Sequence, residues 1–247
     1  MVLSIQYPPH FGHKKLPHNT NRLLCLLSES ERLNLVSQSN RIFLPPKTTI
    51  HQPNEQIDQV YFPIQGIISL LNTTKEGLSA ATATVSNEGM IGIAAFLGGY
   101  FVSSYAVVQT DCVAISLAAN IIQQEFANHS ELQPILLLYT QALLAEVSQN
   151  VLCSCHHTLE QRLARWLLSF SDRLGTNTLL LTQETMAELL GVRRSSLSVV
   201  ASEFRQKNLI DYSRGRIVIQ NPANLRKVAC ECDRLILDEY TRLFDCY

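Results

Sequence analysis

The stretch LTQETMAELLGVRRSSLSVVASEFR, residues 181–205, decides the reading of this chain. Thr182 stands where a helix N-cap belongs. Its hydroxyl can accept from the free N–H groups of a first turn, and Glu184 places negative charge beside the positive end of the helix dipole. The expected helix covers residues 183–190. Gly191 ends it, because glycine readily takes the left-handed conformation of a sharp C-terminal turn. A second helix is expected over residues 194–207, with Leu197, Val200, Ala201 and Phe204 on one face to meet Ala187, Leu190 and Val192. Two short helices joined by a glycine-containing turn form a helix-turn-helix. The opposite face of the second helix presents Arg194, Ser195, Ser198, Ser202 and Arg205, with no acid among them. Arginine can bond to guanine edges and serine to bases or phosphates. Beyond this helix, residues 209–212 and 216–219 flank Ser213-Arg214-Gly215, which reads as a hairpin with a basic tip.

Charge follows the same map. The chain of 247 residues has a net charge of −1, but residues 1–157 balance at −3 and residues 158–220 at +3. Arg193, Arg194, Arg205, Lys207, Arg214 and Arg216 face only Glu203 and Asp211 in residues 193–216. Such a patch on a near-neutral protein suits a polyanionic partner. Arg194 is the first candidate for base readout, with Ser195, Ser196, Ser198 and Ser202 secondary; Arg193, Arg205, Arg214 and Arg216 are placed for the phosphate backbone.

Working outward toward the N-terminus, the composition (46% hydrophobic, 17% charged) is that of a globular chain with room for two domains. Residues 1–20 hold His10, His13 and His18 among prolines, lack the apolar core of a secretory peptide, and read as a flexible tail. Residues 21–40 read as one or two short helices carrying Leu23, Leu24, Leu27, Leu33 and Val36. Between residues 41 and 117, six short apolar runs alternate with turn residues such as Pro45-Pro46, Gly66, Gly77 and Gly98-Gly99, the pattern of an antiparallel barrel or sandwich. A short helix over residues 119–127 leaves it.

Residues 131–157 form the most unusual helix, with Glu131 and Glu146 as its only formal charges. Leu132, Ile135, Leu136, Tyr139, Leu143, Glu146 and Asn150 trace one stripe, with Leu137, Leu138, Leu144, Val147 and Val151 on other faces. A helix apolar around most of its circumference needs cover on two sides. The barrel supplies one and a second copy of the chain the other, and the stripe from Leu132 to Asn150 is assigned to dimerisation; the alternative is an internal core helix of a single domain. The apolar run 134–147 is interrupted by Thr140 and Gln141 and is too short to span a bilayer. Residues 159–174 follow as a helix with Leu163, Trp166, Leu167 and Phe170 on its buried face. The expected fold class is α+β: an antiparallel β-roll sensor domain (21–130), a dimerisation helix (131–157) and a winged helix-turn-helix with a terminal helix (158–247).

At this point the chain resembles the Crp/Fnr superfamily of bacterial transcription regulators. The stretches that carry the resemblance are Val60-Tyr61-Phe62-Pro63, Asn87-Glu88-Gly89-Met90-Ile91-Gly92, Glu160 through Leu167, and Leu181 through Ser196. Cys230-Glu231-Cys232 also looks like one branch of that superfamily. The resemblance implies a homodimer binding double-stranded DNA, with RNA polymerase a further candidate partner and a β-roll that in some members holds a cyclic nucleotide. Those members carry a glycine–acid pair for the ribose and, some ten residues on, an arginine for the cyclic phosphate. Here the matching stretches are Gly92-Ile93-Ala94 and residues 101–105, which hold neither group, so no cyclic AMP is expected, no cofactor is assigned, and the barrel holds another small molecule or none. Members like the cyclic-AMP receptor also place Arg, Glu and Arg on the DNA face, where this chain has Arg194, Ser195 and Val199. Its target sequence should therefore differ.

Seven cysteines without framework spacing point to free thiols in a reducing cytoplasm. Cys153 and His157 share a helical face and could bridge a metal, and Cys230 and Cys232 could join as soft ligands or redox thiols, with Cys155 nearby. No metal is assigned from sequence. Oxygen-sensing members hold an iron–sulfur cluster on several N-terminal cysteines, where Cys25 stands alone. No phosphate-cradling loop or metal-hydrolase motif appears, and Ser195 and Ser196 have no nearby His or acid, so no catalytic residue is assigned. The rival readings are a sensor or scaffold whose winged helix docks protein, and a redox- or metal-responsive regulator using Cys153, Cys155 and His157 or Cys230 and Cys232. No membrane partner is expected.

Overall fold

The computed structural model describes residues 20–99 and 101–245, apart from the Phe244 side chain. The expected tail, with its three histidines, lies outside the described residues except for Thr20. Two short helices, α1 (Arg22–Cys25) and α2 (Glu29–Ser37), open the described chain. Asn21 caps α1 and also donates to the Pro63 and Gly89 carbonyls, which pins the entry to the sheets. Leu23, Leu24, Leu27 and Leu35 are buried, whereas Leu33 and Val36 are exposed.

The six apolar runs all become strands. The β-roll contains β1 (Asn40–Leu44), β2 (Thr49–His51), β3 (Gln59–Gln65), β4 (Ile68–Thr73) and β5 (Ser79–Val85), then α3 (Ala94–Leu97), β6 (Tyr105–Val108) and β7 (Cys112–Ala118). β2 and α3 are additions that the sequence pattern does not announce. Pairing is antiparallel throughout, in sheets of order β1-β7-β3 and β2-β6-β4-β5. At Gly66 the φ is +94° and an added Cβ would sit 2.4 Å from the Asp111 carbonyl oxygen, so only glycine fits there.

α4 (Ala119–Ala127) leads to α5 (Leu132–His156). Leu132, Ile135, Leu136, Tyr139, Ala142, Leu143 and Glu146 are all at most 4% exposed and pack into this chain's own sensor core. Each buried leucine or isoleucine contributes about 1.5–3 kcal/mol. The Tyr139 hydroxyl donates to the Met90 carbonyl at 2.8 Å, and Gly89 leaves the space its ring needs. Asn150 donates to the Thr82 carbonyl. The stripe expected to face a second copy is thus turned inward. The face left open carries Leu137, Gln141, Leu144, Ser148, Val151 and Cys155, spaced alternately by four and three residues. The helix fills nearly all of the expected 131–157 and extends well beyond the apolar run 134–147. At 25 residues it is long and apolar enough to cross a membrane by length and composition, while one side of it is occupied by the chain's own core.

The C-terminal part comprises α6 (Leu159–Leu174), β8 (Thr178–Leu179), α7 (Gln183–Leu190), α8 (Arg194–Gln206), β9 (Ile210–Ser213), β10 (Arg216–Ile219), α9 (Pro222–Val228) and α10 (Cys232–Asp245). Thr158 starts α6 with a reciprocal capping box to Gln161. Leu163, Leu167 and Phe170 form a core with Met186, Leu190, Leu197, Phe204 and Ile217. Ile67 and Leu71 of the sensor side join this core, and α7 lies against β5. α10 turns back instead. Its Ile236, Tyr240 and Leu243 are buried in the sensor-side core against α5 rather than in the winged helix with which the sequence reading grouped it.

Candidate nucleic-acid interface

The helix-turn-helix forms as its local signals require. The Thr182 hydroxyl accepts from the Thr185 N–H at 3.1 Å, and Gly191 ends α7 with φ +64°. A side chain at Gly191 would be strained there and would also meet the Ala80 methyl at 2.9 Å, so this turn touches the sensor domain directly. Leu197, Ala201 and Phe204 bury one face of α8. Arg194, Ser195, Ser196 and Ser202 on its other side are exposed, as is Arg193 at its N-cap, and Ser198 is half-buried. No side chain caps the start of α8, which leaves its first N–H groups free for an outside acceptor.

The wing is a tight hairpin in which Ser213 pairs with Arg216, and Arg214 and Gly215 take φ of +45° and +79°. Two successive positive φ values define the turn type whose twist suits a two-residue hairpin. Arg214 and Arg216 are exposed on it. A cleft of about 330 Å³ opens between Thr182, Gln183 and Glu184 at the start of α7, Arg194 at the start of α8, and Tyr212, Arg214 and Arg216 of the wing.

Among the described residues, Arg193, Arg194, Arg214 and Arg216 have no acidic side chain within ion-pair distance. Arg205 differs. It is 3.1 Å from Asp211 and lies over the Tyr212 ring, so its charge is partly matched already. Lys207 is held by Glu160.

Sequence reasoning missed the buried joint behind this surface. Arg173, near the end of α6, is 3.3 Å from Glu88 and donates to the Thr84 carbonyl and hydroxyl. Glu146 of α5 accepts from the Thr84 N–H at 2.9 Å and from the Tyr240 hydroxyl at 2.9 Å. Burial pushes the Glu146 carboxyl above its ordinary range, with Arg173 opposing. Glu88 stands in the sequence only within the stretch Asn87 through Gly92, and nothing local singles out Arg173. No local pattern joins residues this far apart.

In the β-roll, Gly92 and Ile93 lead into α3, and Phe101 is exposed beyond it. Glu88, the nearby acid, is committed to Arg173 and to the Ser86 N–H. The four secondary metal candidates, Cys153, His157, Cys230 and Cys232, do come together, while Cys155 is exposed and apart.

A β-roll joined by a long helix to a winged helix-turn-helix with an open basic face defines a DNA-binding transcription regulator with a sensor domain. Comparison with known families agrees at both ends: residues 41–129 match the cyclic nucleotide-binding domain and residues 161–228 the Crp-like helix-turn-helix domain. These are the two domains of a Crp/Fnr-type transcription regulator. Among relatives, it is 21% identical over 186 residues to the global nitrogen regulator of Synechocystis sp., covering 72% of this chain and 83% of that one. It is 22% identical over 202 residues to the CRP-like cAMP-activated global transcriptional regulator of Mycobacterium tuberculosis, covering 79% and 90%. In fold it is similar to FixK2 from Bradyrhizobium japonicum (TM-score 0.67, 16% identity, 78% and 98% covered). It is also similar to a CRP-family regulator from Thermus thermophilus (0.65, 20%, 76% and 96%).

Proposed function

We propose that the chain acts in the cytoplasm as a homodimer that reads a two-fold symmetric DNA site, with α8 of each copy in successive major grooves. The observation that carries this reading is the set of exposed, acid-free arginines at the start of α8 and on the wing. Arg194 contacts a base edge, with Ser195, Ser196, Ser198 and Ser202 beside it. Arg193, Arg214 and Arg216 hold phosphates, and Arg205 joins them by giving up part of its contact with Asp211. The second copy packs on the open stripe of α5 at Leu137, Gln141, Leu144, Ser148, Val151 and Cys155. Half-sites then lie about one helical turn, ~34 Å, apart. No cyclic AMP and no catalytic role is proposed.

Selection of duplexes from a random pool tests this reading. The wild-type protein should enrich a palindromic site. Arg194→Ala should lose about 1–3 kcal/mol of discrimination at one position in each half. Leu144→Asp should give monomers by light scattering. An asymmetric site, or a palindrome read equally well by Arg194→Ala, would sink the corresponding assignment.

A further inference from the structure

Where α5 ends and α9 gives way to α10, three thiols and one imidazole meet. Cys153 and His157 come from the last turn of α5, Cys230 and Cys232 from the segment that starts α10. Their four candidate ligand atoms all lie within 4.8 Å of one another. Cys153 Sγ is 3.6 Å from Cys230 Sγ, and Cys232 Sγ is 3.4 Å from His157 Nδ1. A tetrahedral zinc with bonds of about 2.3 Å to sulfur and about 2.0–2.1 Å to nitrogen needs ligand separations of about 3.8 Å (S–S) and about 3.6 Å (S–N). Both spacings fall about 0.2 Å short of those values, and no pair of the four atoms is more than 4.8 Å apart, so a small adjustment suffices to seat the ion. The ligands of an iron–sulfur cluster stand farther apart, so the space suits one ion.

We propose that Cys153, His157, Cys230 and Cys232 bind a single Zn(II) ion as a closed structural site. The surroundings fit a metal centre better than packed thiols. The three cysteines form a group of their own, separate from the apolar cores. Glu231 Oε2 stands 3.6 Å from His157 Nε2, on the side of the ring away from Cys232, where a carboxylate orients a metal-bound imidazole. Gln149 donates its amide N–H to Cys232 Sγ at 3.1 Å. Three thiolates, a neutral imidazole and Zn(II) leave one excess negative charge. Arg165, 6% exposed and bonded to Asn150, carries the opposite charge close enough to act on Cys153 and Cys230. All four ligands are used, so no position is left for substrate or water, which is the mark of a structural site. Placed there, the ion ties the end of the long helix to the start of α10, which packs back along that helix.

The test is metal content of the full chain, purified without chelator or polyhistidine tag. About one zinc per chain is expected, falling below about a tenth in Cys230→Ser and Cys232→Ser and unchanged in Cys25→Ser. Cobalt(II) replacing zinc should give the intense red-region bands of a tetrahedral site together with thiolate charge-transfer bands. His157→Cys should keep the metal and strengthen the charge transfer, a readout that a folding defect would not produce. A chelator should lower the wild-type Tm and leave that of Cys230→Ser unchanged. Wild-type protein that holds no zinc and gives no tetrahedral cobalt spectrum would overturn the proposal. So would a Cys153–Cys230 disulfide or iron–sulfur absorption in its place, or full metal retention in a Cys153→Ser/Cys230→Ser double variant.

Discussion

Arg173 and Arg194 lie only 21 positions apart, yet the fold uses them in opposite ways. Arg173 is largely buried, 3.3 Å from Glu88, and joins α6 to the sensor through Thr84. Arg194 is exposed at the start of α8, with no acidic side chain in ion-pair reach among the described residues. A buried guanidinium must be matched, because leaving its partner charge uncompensated costs far more than a surface ion pair returns. An exposed one keeps its solvation and stays available to a polyanion, whose phosphates release counterions on binding. The same side chain therefore serves as a joint in one place and stays open to an outside anion in the other.

The strongest way to break this contrast is Arg173→Met. It should lower the free energy of unfolding by about 3–5 kcal/mol in urea titration, because Glu88 is left buried without its cation. Adding Glu88→Gln should recover part of the loss. A loss under about 1 kcal/mol would mean that the joint is not held by charge. Arg214→Ala and Arg216→Ala sharpen the other side. Each should change stability by no more than about 0.5 kcal/mol, weaken DNA binding equally across sequences, and reduce the salt slope of log K by about 1. Arg205→Ala should do less, because Asp211 already matches part of its charge.

The smallest effect concerns Glu146, which faces Arg173, Glu88 and the Tyr139 and Tyr240 hydroxyl groups. Burial raises its folded pKa above the ordinary 4.5, although Arg173 and the bonds from Thr84 and Tyr240 pull the other way. Its contribution to stability is then complete below that ordinary value and lost as pH rises through the folded one. Glu146→Gln should flatten the dependence of the urea midpoint on pH above about 4.5. An unchanged slope would show that Arg173 already holds the carboxylate ionised.

Much of the reading surface was legible from local signals. The Thr182 cap, the Gly191 stop and the spacing of Leu197, Ala201 and Phe204 act within a few residues of one another, so they can be read along the chain. The six strands were legible for the same reason, while β2, with three residues and an irregular pairing to β6, carried too short a pattern. The long helix was legible as a helix, but the stripe assigned to dimerisation is the one that the chain's own core covers. Leucines occur all round it, so periodicity could not separate the side facing the β-roll from the side left open.

Residue order and spacing were enough for the β-roll, the long helix, the helix-turn-helix and the basic patch, because caps, alternation and helical period are short-range properties. Three arrangements depended on the folded chain bringing distant residues together. Glu146 meets Thr84 and Tyr240, 62 and 94 positions away, so a charge assigned to the dimerisation stripe is a buried bond acceptor. α10 leaves the winged helix to pack on α5. Cys153 meets Cys230 across 77 positions. Pairings of this kind are set by chain return and burial, and no local pattern records them.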